Sequence, residues 1–136
     1  MASLTAAVLS DFAQVRDGLM FVSSGGITRV TRTEFPAALG CQVAVLIYVN
    51  PGEDPEGMEI AVTITLEEED EFEATLSTHV AHAVPNQSAP AAPTYIAAVV
   101  DLRTLELPMP GTYRVRVSQD DDTREFAFLA VTPPAD

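Results

Sequence analysis

The sequence contains no lysine and no tryptophan, one cysteine and two histidines, and each shortage removes a class of function. Seven arginines, scattered from Arg16 to Arg124, oppose twenty acidic residues for a net charge of −13. Nucleic acid binding needs a clustered basic stripe to displace counterions, so neither nucleic acid nor an anionic membrane is an expected partner. With Cys41 alone, no intrachain disulfide can form, and a reducing cytoplasm is the expected location. Cys41 shares strand parity with Val43, Val45 and Ile47, which predicts a small buried hydrophobe rather than a reactive thiol. No basic residue is near it in sequence, Arg32 being nine positions away. His79 and His82, three apart on a strand, point to opposite faces and cannot chelate one metal. No apolar run approaches the roughly 18 residues of a membrane-spanning helix. Ser23-Ser24-Gly25-Gly26 is not a Gly-x-Ser-x-Gly nucleophile elbow, and there is no phosphate-binding glycine loop, metal-binding Cys/His spacing or dinucleotide fingerprint. A non-catalytic protein without a cofactor is therefore expected.

What the chain does contain is alternation. Tyr113, Val115 and Val117 alternate with Arg114, Arg116 and Ser118, turn at Gln119-Asp120-Asp121-Asp122, and return through Phe126-Ala127-Phe128-Leu129-Ala130-Val131, a hairpin with one dry face. Met58, Ile60, Val62, Ile64 and Leu66 alternate with Glu59, Ala61, Thr63, Thr65 and Glu67, and Phe72, Ala74 and Leu76 return with Glu73, Thr75, Ser77 and His79 outward. Residues 4–15 read as a first strand, joined at Arg16-Asp17-Gly18 to Leu19-Met20-Phe21-Val22. A bulge or bend is expected at Gly25-Gly26 before residues 27–32, a connector at 34–40, and the most apolar strand at 41–49. Residues 50–57 form a turn loop, 83–94 a proline-rich connector, and 95–100 another apolar strand. About eight strands and no helix in one domain of 136 residues predict an all-β antiparallel sandwich, immunoglobulin-like or a related Greek key. Tryptophan and a second cysteine, marks of true immunoglobulin domains, are absent.

Three segments carry a resemblance: residues 9–22 with Gly25-Gly26 following, Phe35-Pro36-Ala37, and Leu107-Pro108-Met109-Pro110-Gly111-Thr112-Tyr113. Together they resemble a family of small bacterial proteins of unknown function, in which an A-D-x-A-x-V-x-D-G-K-L opening leads to a glycine pair and an L-P-x-P-G-x-Y hairpin closes the domain. Ser10 and Leu19 stand where that pattern has Ala and Lys. The resemblance implies a β-sandwich across nearly the whole chain and adds no site.

Two clusters of carboxylates invite a calcium reading, because hard cations take oxygen ligands gathered at loop tips. Alternating strand directions place the 50–57 loop and the Asp120-Asp121-Asp122 turn at one end, and the acidic run 67–71 at the other. The candidate metal ligands are therefore Glu53, Asp54, Asp120 and Asp122, weighed against simple solvated turns that discourage edge aggregation. Carbohydrate binding lacks an aromatic platform, with Tyr48, Tyr95 and Tyr113 dispersed. The strand at 41–49 is unusual in its second face. Val43, Val45, Ile47 and Val49 suffice for a core, yet Ala44, Leu46 and Tyr48 occupy positions where a wet outer face would carry polar residues. These three are the candidate interface, with self-association expected unless an N-terminal segment folds over them. The expected function is a protein-interaction or assembly module whose partners include its own copies. The alternatives are a structural or accessory protein of a phage or phage-like particle, and a calcium- or carbohydrate-binding sandwich.

Overall fold

The computed structural model describes residues 3–16, 19–50, 58–67, 69–79, 94–120 and 122–134. The described residues form strands and connecting turns, with no helix among them. In chain order the strands are β1 (Ser3–Arg16), β2 (Leu19–Gly25), β3 (Arg29–Thr31), β4 (Ala37–Ala38), β5 (Gln42–Val49), β6 (Glu59–Leu66), β7 (Glu69–His79), β8 (Thr94–Asp101), β9 (Glu106–Leu107), β10 (Gly111–Gln119) and β11 (Asp122–Val131). One sheet has the order β2-β1-β5-β8 and is antiparallel throughout. The other has the order β3-β11-β10-β6-β7, antiparallel except where β3 runs parallel to β11. A third, small sheet pairs β4 with β9.

Alternation decides which side of each strand is dry. On β6, Ile60, Val62, Ile64 and Leu66 are buried while the residues between them are not. Registers then bring like to like: Val62 pairs with Val117 and Leu76, and Ile64 with Val115 and Ala74. From the first sheet, Leu4, Leu9, Val43, Val45, Ile47, Val49 and Val100 enter the same buried cluster. Leu39, Leu102 and Leu107 join it as the 39–41 segment runs beside 102–107, through Leu39 N–H to Leu105 O at 2.8 Å and Leu102 N–H to Cys41 O at 3.2 Å. Arg32 fastens this corner, donating from Nε to Ala38 O (3.0 Å) and from Nη2 to Leu39 O (2.6 Å). Gly40, at φ +73°, passes so close beneath the guanidinium that a Cβ there would sit 2.9 Å from Nη2. The left-handed backbone is what favours glycine here, since the guanidinium is the movable tip of a long side chain.

Tyr113 is fully buried, as its parity predicts. Its ring stacks on Phe128 with centroids 5.3 Å apart and meets Phe72 edge-on at 5.7 Å, and its hydroxyl donates to Met109 O at 2.6 Å.

The stretch 27–32 departs from its expected role as a continuation of β2. Ser24 and Gly26 both take positive φ, the amides of Gly26 and Ile27 converge on Leu9 O, and the chain crosses to the second sheet as β3 beside β11. Left-handed residues at the predicted bend turn the chain out of one sheet and into the other. The connectors expected at 50–57 and 83–94 lie outside the described residues apart from Asn50, which follows β5, and Thr94, which begins β8.

Candidate interaction surface

The two sheets present unlike outer faces. That of the second sheet is polar and paired: Arg114 with Glu67 (2.6 Å), Arg116 with Glu125 (2.8 Å), His79 Nε2 with Glu59 (3.3 Å), and the hydroxyls of Thr63 and Thr75 at 3.1 Å. His79 thus lies on the expected polar face, while His82 falls outside the described residues.

The first sheet carries the apolar outer face read from β5, but its exposed part is elsewhere. Ala44 is fully buried, which corrects its assignment as an accessible interface residue, and Leu46 and Tyr48 are only half-covered. Two causes act together. Ala44 is flanked in register by Val8 and Val99, and Leu46 by Ala6 and Ala97. The sheet also curls until its edge strands β2 and β8 come within 8 Å at Cα, and a small side chain at its centre permits that curvature. Tyr48 meets Tyr95 edge-on at 5.4 Å across the β5–β8 pair.

Exposed apolar surface concentrates instead on β1 and β2. Only the first half of β1 pairs with β5, ending where Ser10 lies opposite Gln42. Beyond that row β1 pairs with β2 alone, so residues 11–16 and 19–25 form a two-stranded ribbon that outruns β5 and β8. Phe12, Val15, Leu19, Phe21 and Val22 are 40 to 64% exposed, five of the seven large apolar residues exposed among those described. Cross-strand pairing sorts them by face: Phe12, Phe21 and Leu19 on one, Val15 and Val22 on the other. The ribbon is anchored at its root. Buried Ser10 donates to Gln42 O at 3.0 Å, and buried Gln42 reaches past the end of its own strand to accept the Ala13 amide at Oε1, also at 3.0 Å. A side-chain amide here continues the ladder that the backbone of β5 leaves off. The sequence signal for this ribbon was present, since residues 19–25 carry no charge and apolar residues fall at both parities, but Asp17-Gly18 announced only a hairpin.

At the end of the fold where β5 finishes, the acidic turn is put to structural use. Leu4, paired with Ile47, donates its amide to Asp122 Oδ2 at 2.7 Å, Arg124 donates from Nη2 to Leu4 O at 2.8 Å, and Arg124 Nη1 meets Asp122 Oδ1 at 2.6 Å. The Asp122–Arg124 pair thereby supplies an acceptor and a donor to one backbone residue, as a neighbouring strand would, and ties β1 to the second sheet. The Leu4 amide foremost, with Arg124 beside it, holds the Asp122 carboxyl below the usual carboxylate range. Asp120 accepts from Gln119 Nε2 at 2.8 Å, while the buried Oε1 of Gln119 has no hydrogen-bond partner. Among the calcium candidates, then, Asp122 is committed to Leu4 and Arg124, and Glu53 and Asp54 lie outside the described residues. Among the described residues no three His, Cys, Asp or Glu side chains gather as a metal site.

Cys41 is buried, its Sγ 3.5 Å from Leu39 O, and burial pushes its thiol up. Arg32, remote in sequence, is brought near enough to oppose that shift in part. The absence of a basic neighbour expected from sequence therefore does not hold in space, although burial outweighs Arg32. No helix among the described residues is long and apolar enough to cross a membrane.

The chain belongs to the family of unknown function DUF6941, whose model matches residues 5–132. No curated protein and no solved structure matches it.

Proposed function

We propose that this chain is a non-catalytic protein-interaction module, an antiparallel sandwich of Greek-key type whose recognition element is the β1–β2 ribbon. The observation that carries this reading is the clustering of five large, exposed apolar side chains on one ribbon, in a chain whose other sheet presents an ion-paired outer face. Apolar surface gathered in one place marks interaction sites, whereas the same residues scattered singly would need no explanation. Two of the five are phenylalanines, and aromatic residues are enriched among those that dominate binding energy. The sandwich reading draws support from the single buried cluster to which both sheets contribute. The non-catalytic reading draws support from a buried thiol with a raised pKa, a poor nucleophile, and from the exposed His79 spent on Glu59.

Site-specific photo-crosslinking tests the reading. With benzoylphenylalanine in place of Phe21, irradiation in the source cell should yield covalent protein adducts, and the same group in place of Thr75 on the polar sheet should not. Equal labelling at both positions, or none at Phe21, would overturn the assignment of the ribbon.

A further inference from the structure

We infer that the ribbon's partner is a second copy of this chain, and that the two copies join through the free edges of their β2 strands into one continuous sheet. This rests on the interaction reading above and specifies its partner. The backbone makes the first argument. β2 is an outer strand of its sheet, and although the curl brings it near β8, β8 ends at Asp101 opposite Gln42, so the start of β2 lies past the end of that strand. Ala13 pairs with Val22, and the Ala13 amide turns away from β2 toward Gln42. In an antiparallel ladder both members of such a non-hydrogen-bonded pair direct their N–H and C=O groups outward. Val22, and by the same parity Met20, therefore offer unpaired donors and acceptors along the outer edge of β2. Natural proteins blunt such edges with charge, proline or brevity. The edge strand β7 carries Glu73 among its exposed residues, and β3 is three residues long. β2 has seven residues, Leu-Met-Phe-Val-Ser-Ser-Gly, with no charge and no proline.

Charge makes the second argument. A chain of net −13 should repel its copies, and a self-interface has to lie where that charge is absent. From Asp11 to Arg29 the sequence holds two acidic residues, Asp11 and Asp17, and two basic ones, Arg16 and Arg29, so this segment is neutral and the whole excess lies outside it. The side chains make the third: Phe12, Leu19 and Phe21 lie on one face of the ribbon and Val15 and Val22 on the other, so on a joined sheet the apolar residues of each face run on beside those of the copy. A two-fold axis through the β2 pair makes the contact isologous and closed, a dimer rather than a filament. With Val22 facing its own copy, the apolar side chains of each face continue those of the partner ribbon.

Sedimentation velocity on the purified chain at high micromolar concentration tests this, with Val22→Pro as the decisive variant. Its N–H points away from β1, so proline there leaves the β1–β2 ladder whole while removing an edge donor and blocking a partner strand. Wild type should sediment at twice the chain mass, and Val22→Pro and Phe21→Ser at the single mass with unchanged β-sheet circular dichroism. A monomeric wild type, or a dimer that survives both substitutions, overturns self-pairing. If Phe21 crosslinks to a different protein while the purified chain is monomeric, the interaction reading stands and the self-pairing inference falls. If Phe21 yields no adduct at all, both fall.

Discussion

At the scale of single residues, the clearest lessons come from Tyr113, Asp122 and Cys41. Tyr113 was legible because alternation with Arg114 and Arg116 left no choice of face, and its burial between Phe128 and Phe72 follows. Tyr113→Ala should cost about 3–5 kcal/mol in chemical denaturation, as other large-to-small aromatic changes in cores do. Tyr113→Phe, which keeps the ring and loses the hydroxyl's bond to Met109 O and its longer contact with the Met109 amide, should cost nearer 1 kcal/mol. Asp122 was not legible: an aspartate in an acidic turn reads as solvated, and nothing local in sequence shows that Leu4 arrives beside it. Because its folded-state carboxyl titrates below the unfolded value, it stabilises the fold above the ordinary aspartate pKa of about 3.9, and that contribution is lost as pH falls through the lower, folded value. Asp122→Asn should therefore be less stable than wild type at neutral pH, with the difference narrowing on acidification below about pH 4 in thermal melts. A difference independent of pH would show that the Leu4 contact does not depend on the charge. The buried Cys41 thiol should react with a thiol reagent such as Ellman's only at the rate of unfolding, and labelling of the native protein as fast as that of a free thiol would place it at the surface.

At the scale of elements, strands with one wet and one dry face were read correctly from their alternation, and strands with two dry faces were not. β6 and β10 face water on one side and the core on the other, so period-two patterning marks their inward residues. β5 is apolar on both faces, and its sequence alone cannot say whether the second face meets a partner or its own sheet. The structure supplies curvature and small flanking side chains, which leave Ala44 fully covered and Leu46 and Tyr48 half-buried. The path from Gly25-Gly26 to β3 was misread for a related reason. Glycines announce a bend, but the choice of sheet depends on where β11 lies, more than a hundred residues later. At the root of the ribbon, Gln42→Leu should leave the Ala13 amide without its acceptor and destabilise the fold by about 1–3 kcal/mol. Amide exchange should speed most at Ala13 and its neighbours on β1, and uniform acceleration across both sheets would mean that Gln42 supports the core at large rather than the ribbon.

At the scale of the whole molecule, the net charge of −13 is carried by the sequence outside the neutral segment from Asp11 to Arg29 that contains the ribbon. The all-β class and its largely antiparallel sheets were legible from patterning. The position of the exposed apolar surface was not, because it depends on β1 outrunning β5, a matter of register. The central claim is that the outer edge of β2 pairs with another copy, and amide hydrogen exchange as a function of protein concentration measures that edge directly. The Met20 and Val22 amides should exchange more slowly as concentration rises, while exchange on β6 and β10 stays constant. Exchange at Met20 and Val22 that is equally fast at every concentration would contradict the account.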